Sequence, residues 1–179
     1  METFVDGAAG GMTGGPAMRV SEPVATPHVD SPMSGLETMR ALQSGTVDRP
    51  GIAQLLGMRI EQVDEGRVVF GADVRAAFAN PLGTVHGGIL STLLDSAMAC
   101  AVFTTLPPRT SYTTVDLTVS FVRAVPLDAR HLRAEGTVIH SGGRIATAQG
   151  RLTDEEGNLV AHGTTTCLVR RPPANGART

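Results

Sequence analysis

The sequence predicts an α+β domain in which an antiparallel sheet wraps around one long, buried helix. Three observations point there. Residues Gly88 to Leu106 form a Pro-free segment rich in Ala, Leu and Met, apolar around nearly its whole circumference and ended by Pro107-Pro108. Downstream, segments of strand character follow one another with only short turns between them. Upstream, two more strand segments flank a single turn. One helix among consecutive, turn-linked strands suggests a sheet packed on that helix.

Taken in order, the first 34 residues hold five Gly and four Pro (Pro16, Pro23, Pro27, Pro32) and show no sustained period of either kind. Such a segment buries too little apolar surface to offset its ordering entropy, so residues 1–34 are expected to form a disordered tail. Arg170 to Thr179, Arg- and Pro-bearing, is expected to fray likewise, which leaves residues 35–169 as the folded domain. Within it, Leu36, Met39 and Leu42 share one helical face, with Ser34 as N-cap and Gly45 as stop. A short helix, Gly51 to Leu56, follows Pro50. Met58 to Val63 and Arg67 to Val74 read as strands joined at Asp64-Glu65-Gly66.

On the long helix, Ile89, Leu90, Leu93, Ala97 and Cys100 make an apolar stripe; the other side carries Ser91, Thr92 and Asp95 but also Met98, Ala99 and Val102. Asp95 is therefore expected near the middle of a mostly buried helix. Tyr112 to Val122 alternates, with Thr113, Val115, Leu117, Val119 and Phe121 on one face and Thr114, Asp116, Thr118 and Ser120 on the other. Arg130 to Ser141, the turn Gly142-Gly143, Arg144 to Thr153, the turn Asp154 to Asn158 and Leu159 to Val169 complete the strands.

Composition narrows the function classes. Of 179 residues, 41% are hydrophobic and 18% charged; no apolar run approaches the ~20 residues of a membrane span, and no secretory leader is recognisable at the start. Two cysteines, Cys100 and Cys167, make no disulfide framework, so a cytoplasmic location is expected. All 15 basic residues are Arg, and against 17 acids they leave a formal charge of -2, which gives no electrostatic reason to expect nucleic acid as partner.

Most chemistry-bearing residues stand alone. His28 falls in the tail, and His131, His140 and His162 occur singly in strand segments with no Cys or carboxylate at ligand spacing, so no metal site is expected. Neither a Gly-x-x-x-x-Gly-Lys phosphate loop nor a Gly-x-Ser-x-Gly elbow occurs. Cys100 reads as core and Asp116 as a solvated or paired strand residue.

The exception is Asn80-Pro81-Leu82-Gly83-Thr84-Val85-His86-Gly87-Gly88, which runs straight into the long helix, with Asp95 nine residues after His86. On one reading the two glycines only permit a tight loop-to-helix passage, His86 serves as a cap and Asp95 is a hydrogen-bonded core carboxylate. On the other, the unpaired N–H groups and positive dipole end of the helix receive developing negative charge. Gly87 N–H then serves as an oxyanion donor, glycine lets a substrate approach closely, and Asp95 acts as general base or nucleophile. Gly87 and Asp95 are about 12 Å apart along one helix, at ~1.5 Å per residue. They cannot easily act on one carbonyl. Two antiparallel copies of the helix would bring Gly87 of one subunit to Asp95 of the other, which implies an obligate dimer with two equivalent sites.

This segment resembles the hot-dog-fold acyl-CoA thioesterases, in particular the phenylacetate-pathway (PaaI-like) subgroup, over residues 50–169. The resemblance implies Gly87 as backbone oxyanion donor, His86 and Asn80 beside the thioester carbonyl, and Asp95 as the acid that activates water or attacks directly. It implies Thr114 as a hydroxyl that positions the water. Gly88 and the turn Gly142-Gly143-Arg144 would contact substrate, Arg144 through a phosphate. It further implies hydrolysis without metal or bound cofactor, coenzyme A being part of substrate and product, and a homotetramer built from catalytic homodimers. The chain departs from some relatives in having Ala99 where they carry a hydroxyl residue. Two other readings stand beside it: a hot-dog hydratase or dehydratase using an Asp and His pair, and a non-catalytic acyl-CoA sensor. Sensors of that type carry a DNA-binding or regulatory module, and residues 1–34 are too rich in Gly and Pro for a helix-turn-helix. The acyl group itself is not legible.

Overall fold

A computed structural model describes residues 31–48 and 51–171. Residues 1–30 of the expected 1–34 tail, residues 49–50 and the end beyond residue 171 lie outside these. Helix α1 (Gly35–Ser44) begins at a capping box: Ser34 Oγ accepts from Glu37 N–H, and the Glu37 carboxylate accepts from Ser34 N–H at 2.7 Å. It ends at Gly45, whose φ of 75° is the left-handed stop the sequence marks. Then follow α2 (Gly51–Leu56), β1 (Arg59–Asp64), β2 (Arg67–Asp73), a 3₁₀ turn (Ala76–Phe78) and α3 (Gly87–Thr104). The strands β3 (Ser111–Phe121), β4 (His131–Ser141), β5 (Ile145–Asp154) and β6 (Leu159–Arg170) complete the chain. Arg170 pairs with Ser111, so the last strand runs one residue past the expected boundary.

All six strands form one antiparallel sheet in the order β1-β2-β4-β5-β6-β3. The two non-sequential pairings, β2 with β4 and β3 with β6, arise because the chain leaves the sheet after β2 to form α3 and returns at the far edge. The segment 122–130 then carries it back to β4 instead of closing a hairpin. Hence β3, eleven residues long, is an edge strand.

Helix α3 packs across one face of the sheet. Leu93, Leu94, Ala97, Met98, Ala101 and Val102 are wholly removed from solvent. By length and a mean hydropathy of 1.4 it would also pass as a membrane span, contrary to the expectation from run length; here the sheet supplies its apolar surroundings. Two glycines seat it: Gly136 and Gly150, which pair directly across β4 and β5; Gly163, next to them on β6, lies instead against the Thr118 carbonyl of β3. A Cβ on Gly136 would overlap the Ala97 carbonyl and the Met98 amide of α3, and one on Gly150 would come within 2.8 Å of the Met98 side chain. Backbone thus meets backbone where helix and sheet are closest.

The alternation expected along β3 is interrupted. Thr114 pairs with Cys167, and the next partner pair is Asp116 with Thr166, so Val115 is an extra residue in a β-bulge. The bulge reverses the faces. Thr114, assigned by alternation to the outer polar face, turns to the helix side along with Leu117, Val119 and Phe121.

Candidate active site

The loop before α3 is built by Asn80. Its Oδ1 accepts from Leu82 N–H at 2.9 Å and Thr84 N–H at 3.1 Å, while Nδ2 donates to Thr84 Oγ1 at 2.9 Å. The Asn80 N–H donates to the Thr84 carbonyl at 2.8 Å, closing a tight turn through Gly83. Val85 N–H to the Val125 carbonyl, 2.9 Å, and His86 N–H to the Phe78 carbonyl, 2.8 Å, fasten the turn to its surroundings. Asn80 thus acts on the loop through a set of local bonds that fixes where the helix starts.

His86 is the N-cap of α3, extended at φ -64° and ψ 133°, and its Nδ1 accepts from Gly88 N–H at 2.8 Å. Its carbonyl takes the Ile89 N–H at 2.9 Å. That leaves Gly87 N–H, in the first helical position, with no acceptor among the described residues. The half-buried Gly87 abuts the Phe121 ring, which a Cβ would approach to 3.2 Å. Of the two readings of the Gly-Gly pair, the structure supports parts of both: His86 is a cap, and the cap leaves one donor unused at the positive end of an 18-residue helix.

Asp95 lies two turns further along α3. It is half-buried in the middle of the mostly buried helix, and Thr114 Oγ1 donates to its Oδ1 at 3.0 Å. The β3 bulge makes this contact possible. Asp95 and Thr114 form one wall of a cavity of about 340 Å³ between α3, the two N-terminal helices and the sheet. Met39 and Leu42 of α1, Ile52 and Ala53 of α2, and Met58, Ile60 and Phe70 provide its apolar sides. Ser96, Ala99 and Cys100 complete the α3 wall, with Tyr112 and Thr113 beside Thr114. Asp95 is the one acidic or basic side chain in that lining. Burial pushes the Cys100 thiol up to about 12, a hydrogen bond with Tyr112 opposing only part of the rise. The same burial raises the Tyr112 hydroxyl well above its ordinary range. Both stay neutral, and Cys100, assigned to the core, packs against it and also lines the cavity.

The remaining sequence-derived positions are spread along α3. Gly87 stands at its start, Asp95 in its middle, and the turn Gly142-Gly143-Arg144 beyond its end, where Ser141 Oγ lies 3.0 Å from Thr105 Oγ1. Arg171 donates to the carbonyls of Gly143 and Gly142, and the Arg144 side chain is exposed. One chain does not bring these groups together. Gly88, expected to touch substrate, gives its N–H to His86. His131, read as isolated, is flanked by carboxylates: Asp73 Oδ1 lies 2.9 Å from Nδ1 and Glu61 Oε1 lies 2.9 Å from Nε2. These come from β1 and β2, adjacent in the sheet but distant in sequence. Among the described residues, no group of three or more His, Cys, Asp or Glu side chains is arranged to hold a metal ion. Sequence reasoning missed the α1 and α2 side of the cavity, for which the only signal was the Leu36, Met39, Leu42 stripe.

Comparison with known proteins places the chain among relatives. A family model described as the thioesterase superfamily matches residues 82–161. A Halobacterium salinarum protein named as an esterase is 32% identical over 114 residues, which cover 61% of this chain and 74% of that protein. A crystal structure from Ralstonia eutropha, titled as a thioesterase and phenylacetic acid degradation-related protein, is 32% identical. It covers 72% of this chain and 97% of its own, with a TM-score of 0.66. A mutant of the phenylacetic acid degradation protein PaaI from Thermus thermophilus is 28% identical and covers 69% and 100% of the two chains, with a TM-score of 0.62.

Proposed function

We propose that this chain, which belongs to the thioesterase superfamily and is a hydrolase of thioester bonds with the PaaI-type hot-dog fold, takes an acyl-CoA as substrate and cleaves it at a site shared by two subunits. The observation that carries this reading is Asp95: held by Thr114, it is the only acidic or basic side chain lining a mostly apolar cavity. Such a group is suited to orienting a water beside an apolar acyl chain.

The second half of the site is Gly87. Its unused N–H polarises the thioester carbonyl and receives the negative charge that develops on the oxygen. Water held by Asp95 and Thr114 adds to the carbonyl carbon, giving its proton to the carboxylate. The tetrahedral intermediate collapses with departure of the CoA thiolate. Asp95 attacking directly, with water resolving the anhydride, is the other route open to the same geometry. No step uses a metal or bound cofactor.

Distance along α3 requires that Gly87 and Asp95 come from different subunits, and the edge position of β3 offers a way. The strand exposes Val115 and Phe121, each more than half accessible in the single chain. Pairing two copies antiparallel along β3 would extend the sheet and lay the two α3 helices side by side, head to tail. Homodimers of this kind, joined into a homotetramer in the cytoplasm, are the assembly we propose. Gly142, Gly143 and Arg144 would then meet the pantetheine arm and phosphates outside the cavity.

The test is release of free thiol from an acyl-CoA panel by wild type, Asp95→Ala and Gly87→Pro. Proline suits the first helical position, so Gly87→Pro removes the N–H while keeping the helix start. Each variant is expected to lose at least ~100-fold in kcat, about 2.7 kcal/mol of barrier. Refolding the two dead variants together should restore roughly a quarter of wild-type activity, since half the dimers then hold one intact site. Undiminished turnover in Asp95→Ala would remove that residue from the mechanism. Absence of recovery in the mixture would sink the shared site.

A further inference from the structure

We infer that the cavity beside Asp95 is the acyl pocket, that it selects an uncharged aliphatic chain of about six to ten carbons, and that Ala99 sets how far the chain runs along α3. The inference rests on the acyl-CoA reading above and deepens it. Size comes first. At the ~0.74 packing density of protein interiors, the cavity takes roughly 250 Å³ of ligand atoms. With ~30 Å³ as the packed share of a water or a group of methylene size, the full cavity holds on the order of eleven groups; the carbonyl oxygen and the attacking water take two of them and leave about nine carbons.

Chemistry comes next. Asp95 is the sole acidic or basic side chain, so an acyl group ending in a carboxylate would be buried against another carboxyl group with no cation to offset it. Tyr112 and Cys100 stay neutral, so neither supplies a charge that would offset such a carboxylate. Shape favours a flexible chain over a ring. Met39 and Met58, each 1% exposed, close the inner wall with adaptable side chains. The Tyr112 ring is already engaged with Phe103 at 5.4 Å between centroids.

Ala99 follows from helix geometry. It stands one turn beyond Asp95 on the same face, roughly 6 Å along the axis, and is 6% exposed on the cavity wall. Side chains on a helix lean toward its N-terminus, so anything larger than a methyl there projects back into the space beside Asp95. A leucine would occupy room now left for the middle of the chain.

The experiment measures kcat/KM by CoA release for straight-chain acyl-CoAs from acetyl to palmitoyl, together with succinyl-CoA and benzoyl-CoA. Wild type, Ala99→Leu and Met39→Ala are compared, with circular dichroism to establish folding. For wild type, kcat/KM should rise roughly fourfold per added methylene, as expected for burial of apolar area, and turn over between hexanoyl and decanoyl. Ala99→Leu should move the optimum to shorter chains and lower the decanoyl-to-butanoyl ratio at least about tenfold. Met39→Ala should move it to longer ones. A wild-type preference for acetyl, succinyl or benzoyl would overturn the inference. So would an Ala99→Leu variant that slows every chain by the same factor. Should Ala99→Leu not fold, the wild-type profile and Met39→Ala decide alone. Failure of wild type to hydrolyse any member is a different result: it removes the acyl-CoA reading itself, and the pocket assignment with it.

Discussion

Replacing Gly136 with alanine tests whether α3 is seated backbone-to-backbone on the sheet. The added Cβ would overlap the Ala97 carbonyl and the Met98 amide, neither of which can rotate aside as a side chain would. To restore contact distances near 3.5 Å, α3 must retreat from β4 by on the order of an ångström. A gap of that size forfeits about a quarter to a half of the dispersion attraction of each atom pair it opens. The residues that would lose contact are the best buried in the molecule, among them Leu94, Ala97 and Met98. Overpacking typically costs about 1–3 kcal/mol, and with rigid backbone on both sides the upper end applies. The expected outcome is a loss of about 3 kcal/mol, or roughly 10 °C in Tm for a domain of this size. Urea unfolding at fixed protein concentration measures it, with Gly51→Ala as control. A Cβ at Gly51 meets nothing within 4 Å, so that change should be neutral or mildly stabilising. A Gly136→Ala loss below about 1 kcal/mol would refute the argument that this glycine sets the helix–sheet distance.

Two further outcomes follow from the site and the sheet edge. Thr114→Val keeps the shape but removes the hydroxyl that donates to Asp95; kcat should fall about 10- to 100-fold with KM little changed, and Thr114→Ser should recover most of it. A KM rise with kcat intact would assign Thr114 to binding instead. On the outer face, the Arg67 guanidinium holds the Glu135 carboxyl below its ordinary 4.5, and Arg59, then His131, hold Asp73 below its ordinary 3.8. Between the folded and unfolded values the unfolded chain binds more protons, so this contribution is full above about pH 5 and is lost as pH falls through the folded values. Urea midpoints from pH 6 to pH 3 should decline, and Arg67→Met should flatten the part due to Glu135. An unchanged slope in that variant would contradict the pairing.

What the sequence made legible is what depends on local chemistry. The extent of α3, the Ser34 cap, the Gly45 stop and every turn between paired strands follow from residue types a few positions apart. The loop from Asn80 to Gly88 was legible for the same reason, since capping and turn formation are local. What was not legible depends on registry between distant segments. The bulge at Val115 carries no signal in the alternation of Tyr112 to Val122, yet it decides that Thr114 meets Asp95. Gly136, Gly150 and Gly163 read as three scattered glycines until β4, β5 and β6 are in register. The far wall of the cavity, Met39 and Met58, belongs to segments whose apolar residues look like ordinary core.

The cap on α3 has a consequence for proton chemistry. A ring nitrogen that accepts from a backbone N–H cannot also carry a proton, so the Gly88 bond to His86 Nδ1 fixes the imidazole as its Nε2–H tautomer. The exposed nitrogen can therefore give a hydrogen bond but cannot accept one while the cap is in place. For His86 to work as a base, the first turn of α3 would have to surrender its cap, and with it the placement of Gly87. The fold thus makes the two ionisable residues of the motif unequal: imidazole as a fixed donor, carboxylate as the acceptor of protons. Chemistry that needs both to exchange protons in alternation, as addition and removal of water across a double bond does, would work against the helix that organises the site.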